Sequence, residues 1–186
     1  MQHGCVSFFL LVATSGARFA YTLLSTMPKV TALLHTENDA LRLGRCLETL
    51  YPCDQILVVD HGSRDLTLQV AREYGARVTQ AVPGADPAHY LQTVDPGWIL
   101  CLGANESVSE SLAASIYEWK SHAPGAAPAP AFCVFLREET SNGWVQVPVA
   151  QTRLVPADWN RWAGALPSPH PSAVALEGEL LRFEFP

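Results

Sequence analysis

The chain is poor in charge and poorer still in basic charge. Asp, Glu, Lys and Arg make up 16% of its 186 residues, and 12 basic residues face 18 acidic ones, for a net charge of −6. No run of Lys or Arg occurs. A general nucleic-acid binder needs a basic face against the phosphate backbone, so that class finds no support. The longest apolar runs are under ten residues, well short of the roughly 20 that span a bilayer. There is no CxxC pair, and the five cysteines (Cys5, Cys46, Cys53, Cys101, Cys133) are odd in number. Without ligand spacing a zinc site is not expected; three of the thiols sit in apolar patterns and read as buried free thiols of a reducing cytosol. Neither GxGxxG nor GxxxxGK[ST] occurs, so neither a dinucleotide fold of the Rossmann type nor a P-loop is indicated. What is present is apolar: 48% hydrophobic residues, enough for one full core and too many for a disordered chain.

The apolar segments alternate in type. Residues 30–35 (VTALLH) form a continuous apolar run of strand length, suited to a strand buried on both faces. Residues 36–39 offer N-cap chemistry for a helix over 39–50, where Leu43, Cys46, Leu47 and Leu50 recur at helical spacing. A second buried strand, 55–60, ends in Asp60. A turn at 61–65 leads to a helix reaching Tyr74, with Leu66, Val70 and Tyr74 expected on its packed face and Gly75 at C′. A short strand follows at 76–80. Asp86 and Pro87 read as N-cap and N1 of a short helix to about Val94. The fourth strand, 97–102, is the most apolar, and residues 103–106 leave its carboxyl end. Ser107 or Ser109 caps the next helix, with Leu112, Ile116 and Trp119 as its stripe. The βαβαβ order argues for an open parallel sheet.

Beyond a Pro/Ala connector at 123–130 the pattern changes. Residues 131–139 read as a strand, 141–143 as a hairpin turn, and 144–150 as a strand alternating on Val145, Val147 and Val149. The tail, 151–186, carries Trp159 and Trp162, expected to pack on the sheet or to stack on a sugar. The layout is thus an extension at 1–26, an α/β half at 27–122, the connector, and a small mixed-β part at 131–186. For residues 1–26 three readings stand: Met27 as the true start, a signal or membrane-associating segment, or an additional structural element.

Ligands of an open parallel sheet bind beyond the carboxyl ends of the strands. Those ends carry Thr36 and Asn38, then Asp60, Gly62 and Ser63, then Gly103-Ala104-Asn105-Glu106. Taken alone, Asp60 can accept hydrogen bonds from a ligand or cap the turn after it; both readings stay open.

Four stretches, VTALLHTEND (30–39), RCLETL (45–50), QILVVDHGSRDLTLQVAREYGARV (55–78) and GWILCLGANESVSESL (97–112), together resemble family 2 glycosyltransferases of the GT-A fold. The small bacterial enzymes that add sugars to lipopolysaccharide core are the nearest look-alikes. The resemblance implies an α/β fold with a GT-A-like open, mostly parallel sheet flanked by helices and a short mixed-β C-terminal part. It implies transfer of a sugar from a UDP- or GDP-linked donor to a saccharide or lipid-linked acceptor hydroxyl. It also implies a cytoplasmic protein, with a peripheral place at the inner membrane as the alternative. By resemblance the nucleotide-binding residues are Thr36, Asn38, Asp39, Asp60, Gly62, Ser63 and Asp65. The family holds Mg²⁺ or Mn²⁺ on a D-x-D motif after the fourth strand. Here Gly103, Asn105 and Glu106 stand in its place, so both metal-facing carboxylates are gone and metal affinity should be much weaker. Where the family has a basic residue and Asn before that strand, this chain has Pro87-Ala88-His89-Tyr90. Arg153, in a stretch resembling the family's Arg-Leu-Phe strand, is a candidate for phosphate or acceptor contact. His170 answers to a His-Glu pair, with Pro171 in place of the carboxylate. Glu106 and His170 are the catalytic candidates, Asp86 and Asp158 further carboxylates, and Arg64 and Arg161 further cations. The expectation is a family 2-like glycosyltransferase with weak or lost activity; the alternative is a non-catalytic nucleotide- or partner-binding module on the same scaffold.

Overall fold

The computed structural model describes residues 27–95, 97–122 and 129–185. The extension at 1–26, Cys5 and most of the connector lie outside them. In chain order the elements are β1 (Val30–Thr36), α1 (Ala40–Glu48), β2 (Gln55–Asp60), α2 (Thr67–Glu73), β3 (Arg77–Gln80), α3 (Pro87–Leu91), β4 (Trp98–Gly103), β5 (Glu106–Val108), α4 (Glu110–His122), β6 (Phe132–Thr140), β7 (Gly143–Gln146), β8 (Gln151–Pro156), β9 (Trp162–Ala163), β10 (Leu166–Pro167) and β11 (Val174–Arg182). One sheet takes up all the strands except β9 and β10, in the order β3-β2-β1-β4-β8-β6-β11-β5, with β7 paired to β6. Its first four strands are mutually parallel. β8 runs antiparallel to both β4 and β6, so the C-terminal strands continue the α/β sheet. β9 and β10 form a separate small hairpin.

The parallel strands are apolar on both faces because both faces are covered. Ala32, Leu34, Val58, Leu100 and Leu102 point to one layer, where α1, α2 and α4 bring Leu43, Leu47, Ala71, Leu112 and Ile116. Leu33, Leu57, Val59, Ile99 and Cys101 point to the other, closed by Tyr90 and Leu91 of α3 and by Trp159 and Trp162. Each such aliphatic side chain contributes about 1.5–3 kcal/mol on burial. The tryptophans of the tail therefore pack on the sheet. Burial pushes the Cys101 thiol up to about 12 and raises that of Cys46, so neither offers a thiolate at neutral pH.

Three local expectations are corrected. On α2 the buried residues are Thr67 and Ala71, while Leu66 and Tyr74 are exposed. Thr67 Oγ1 turns inward because it donates to Asp65 and accepts from the Asp39 amide, and Tyr74 turns outward to donate to Glu48. The alternation at 144–150 ends early: β7 stops at Gln146, Val145 and Val149 are exposed, and only Val147 packs inward, beside Pro148. The residues after β4 do not run straight to a helix. They form β5, an edge strand antiparallel to β11. Ser109 then caps α4, its Oγ accepting from the Leu112 amide.

β11 reaches its place through an irregularity between Ala175 and Glu179 that contains Gly178, at φ +90°. A Cβ there would lie 2.2 Å from the Leu112 amide nitrogen of α4. The neighbour is backbone, so no side chain can move aside. Gly178→Ala is expected to cost at least about 2 kcal/mol from overpacking and the left-handed backbone together. Urea unfolding measures it, and a cost below about 0.5 kcal/mol would refute the close approach.

Candidate functional site

The site candidates lie at the carboxyl ends of β1, β2 and β4. Strand order reverses here: from β1 the chain moves outward to β2 and β3, then returns to β4 on the other side of β1. That switch point opens a crevice. Two loops border it, and their polar groups knit them together. Thr36 Oγ1 donates to Asp39 Oδ2 at 2.9 Å. Asn38, held at φ +55°, donates its amide to Ser63 Oγ at 2.9 Å and accepts the Arg64 amide on Oδ1 at 2.9 Å. The Asp39 amide donates to Thr67 Oγ1 and the Ala40 amide to Asp65 Oδ2. Thr36, Asn38, Asp39, Ser63 and Asp65 are thus brought together, and each holds the opposite loop or its own turn. The Thr67 hydroxyl, ahead of backbone amides, keeps the Asp65 carboxyl below the usual carboxylate range.

Asp60 is 1% exposed. Its carboxylate accepts the Gly62 and Ser63 amides and Gln80 Nε2 at 3.0–3.2 Å. Burial pushes its carboxyl up, but the hydrogen bonds from Ser63, Gln80 and Gly62 outweigh that and hold it below the ordinary value. Asp60 therefore caps its turn, one of the two readings left open, and at the same time lines a cavity.

Two adjoining cavities occupy the crevice. One, of about 390 Å³, is lined by Asp60, Gly62, Gln80, Tyr90 and residues 81–85. The other, of about 480 Å³, is lined by His35, Asp86, Pro87, Asn160, Trp162 and Ala165. His61, Gly84 and Ala85 border both. Both volumes fall in the range of small-molecule sites. His35 and His61 meet there, Nδ1 of the first 2.9 Å from Nε2 of the second. Burial, and then the neighbouring His61, lower the His35 imidazole to about 4, so it is neutral at physiological pH. Asp86 borders the second cavity and also caps α3 through the His89 amide.

The third strand end is built differently. Gly103 has no side chain, and its amide donates to Glu106 Oε2 at 2.8 Å. Asn105 donates Nδ2 to the Phe183 carbonyl and lays its Oδ1 over Gly103, 2.9 Å from where a Cβ there would stand. Glu106 is 1% exposed and meets two guanidiniums: Arg153 bidentately at 2.9 and 3.0 Å, and Arg182 at 2.8 and 3.0 Å. Arg153, fully buried, also donates to the Cys101 carbonyl and to Gln151. Arg182 reaches on to Glu138. The four side chains carry two charges of each sign. A divalent cation needs charged oxygens that face a vacancy. At this strand end the carboxylate of Glu106 already accepts from two guanidiniums, so this donor set does not fit Mg²⁺ or Mn²⁺. Among the described residues no other cluster of His, Cys, Asp and Glu has the makings of a metal site.

Of the seven nucleotide-site candidates only Asp60 and Gly62 line a cavity; Thr36, Asn38, Asp39, Ser63 and Asp65 line neither. Gly103, Asn105, Glu106 and Arg153 line neither cavity, and neither do Arg64, Arg161, Asp158 and His170. His170 accepts the Ser172 amide on Nδ1, donates its own amide to Thr152 and sets its ring against Trp159. Sequence reasoning missed His35, His61, Gln80, Asn160 and Arg182. An imidazole closing an otherwise apolar strand, followed by a second one directly after the next strand, was a readable signal for the first two. Arg182 lies 76 residues from Glu106 and left none.

No family model matches the chain. A curated relative, an uncharacterized glycosyltransferase of Rickettsia felis, is 33% identical over 103 residues, which cover 52% of this chain and 36% of the relative. The chain thus spans about a third of that protein's length. Among solved structures, S. aureus TarS superposes with a TM-score of 0.48 at 17% identity, over 69% of this chain and 28% of that one. Mannosyl-3-phosphoglycerate synthase from Rubrobacter xylanophilus superposes with a TM-score of 0.43 at 23% identity, over 60% and 39%. No described helix is long and apolar enough to cross a membrane.

Glu106→Gln leaves the Arg153 guanidinium buried without its counter-charge. Removing one partner of a buried pair costs about 3–5 kcal/mol. Arg182→Ala, at a side chain one third exposed, should cost about 1 kcal/mol or less. Denaturant unfolding of both variants checks the contrast, and equal, small losses would show that the pair does not hold the β4–β5 turn.

Proposed function

We propose that this chain binds a nucleotide-diphosphate sugar in the crevice beyond β1 and β2 and acts in glycosyl transfer. In finer terms, it is read as a family 2 glycosyltransferase on a GT-A scaffold, akin to the small bacterial enzymes of lipopolysaccharide core. The observation that carries the reading is the pair of adjoining cavities at the switch point. One offers Gln80, Tyr90 and backbone groups around Asp60, suited to a planar base and its ribose. The other offers a tryptophan with His61, Asp86 and Asn160, suited to a sugar ring that stacks on one side and hydrogen-bonds at its rim. The relative from Rickettsia felis, by its name a glycosyltransferase, supports the same reading.

In such a transfer an acceptor hydroxyl attacks the anomeric carbon and the nucleoside diphosphate leaves. The residues of this chain would grip the donor at both ends and close the switch point against water. Thr36, Asn38, Asp39, Ser63 and Asp65 contribute by fixing the loop that carries Gly62. No step is routed through a metal, because Glu106 is already matched by Arg153 and Arg182.

A second reading, a nucleotide-reading module without transfer, is favoured by the same ion pairs and by the engagement of His170 with Ser172. Calorimetric titration of the full chain with UDP and with GDP, each with and without Mn²⁺, tests the proposal. Binding of one nucleotide, unchanged by Mn²⁺, is expected. No binding of either would overturn the donor site; binding without release of nucleotide from the matching nucleotide sugars would favour the module.

A further inference from the structure

A nucleotide sugar laid across two compartments must pass its diphosphate through the wall they share. That wall is made by His61, Gly84 and Ala85, the residues common to both cavities. His61 is the one side chain of the three able to donate a hydrogen bond. It is exposed, sits directly after β2, and its backbone amide is fixed to the Thr36 carbonyl at 2.9 Å. Its Nε2 faces His35 Nδ1 at 2.9 Å, while His35 Nε2 is buried without a partner, so the polar contact of the His35 ring is to His61. Tyr90 packs edge-on against His35 and fixes its plane.

We propose that His61, backed by His35, is the diphosphate-binding group of this chain and supplies the positive charge that the strand end of β4 does not offer. The inference rests on the donor-site reading above. As an imidazolium, His61 donates Nε2–H to the neutral His35 Nδ1 and turns Nδ1–H to the phosphate oxygens. A charge-assisted hydrogen bond of this kind is among the stronger ones available in water. The ionisable groups around it are His35 on β1, Asp60 at the end of β2, Asp86 capping α3 and Tyr90 on α3; the β9–β10 side of the cavity presents Asn160 and Trp162, which carry no charge. The two carboxylates repel a diphosphate, so binding depends on the imidazole cation. His35 is a positioning residue, acting through His61.

The test compares UDP with uridine, and GDP with guanosine, by calorimetry on the full chain without metal. The diphosphate is expected to improve the affinity of the matching nucleoside about tenfold or more at pH 6. His61→Gln should erase the gain, since the amide cannot take up the imidazole's place between His35 and the phosphates. His35→Phe should shrink the gain, because His61 loses the ring nitrogen that orients it. A gain that survives His61→Gln would overturn the inference while leaving the donor site standing. A native chain that binds neither nucleosides nor diphosphates would overturn both.

Discussion

The bidentate pair between Glu106 and the fully buried Arg153 is the constraint from which the rest of this structure is organised. Glu106 opens β5, at one edge of the sheet order, and Arg153 lies on β8, beside β4 in its middle. Their pairing, extended through Arg182 on β11, ties the end of the parallel half to three strands of the mixed half. Two charges so deeply placed are tolerated only because each oxygen and most of the guanidinium nitrogens have partners. Around that tie one hydrophobic layer runs from β3 to β11, while the other covers β2, β1, β4 and β8, and the chain forms one sheet where its sequence pattern changes at the connector.

The same pair decides what the strand ends can do. A carboxylate at the end of β4 is an obvious place to hold a cation or to take a proton. Here its charge is already compensated and its surface is closed. Asn105 points to Phe183, and Gly103 has nothing to offer but an amide. The two cavities lie on the other side of the crevice, where Asp60 caps a turn and two histidines meet at their border. The loops of β1 and β2 are rigid because they bond to each other through Asn38, Ser63 and Asp65. Such cross-linking preorganises a surface without any contribution from a ligand.

Much of the parallel half was legible. Runs such as QILVVD and GWILCL announce doubly buried strands because no other short element needs so many apolar residues in succession. Asp86-Pro87 marked the start of α3, and Gly75, at φ +72°, marked the end of α2. The inward turn of Thr67 was not legible, since it depends on Asp65 and on an amide from a different loop. β5 was hidden for the same reason: three residues pair with β11, a strand more than 70 residues later. The candidate site divides along this line. The place of the first two loops beyond the strand ends was legible because local pattern ends β1 and β2 there. Glu106 was misjudged as an available carboxylate because Arg182 could be seen only once the sheet was assembled.

The central claim is that the strand end of β4 is sealed by ion pairs and takes no divalent cation. Addition of Mn²⁺ to ¹⁵N-labelled protein, followed by paramagnetic broadening of the amide resonances, tests it most directly. The account predicts that the amides of residues 103–106 lose no more intensity than the rest of the chain. Selective broadening at those residues would contradict it.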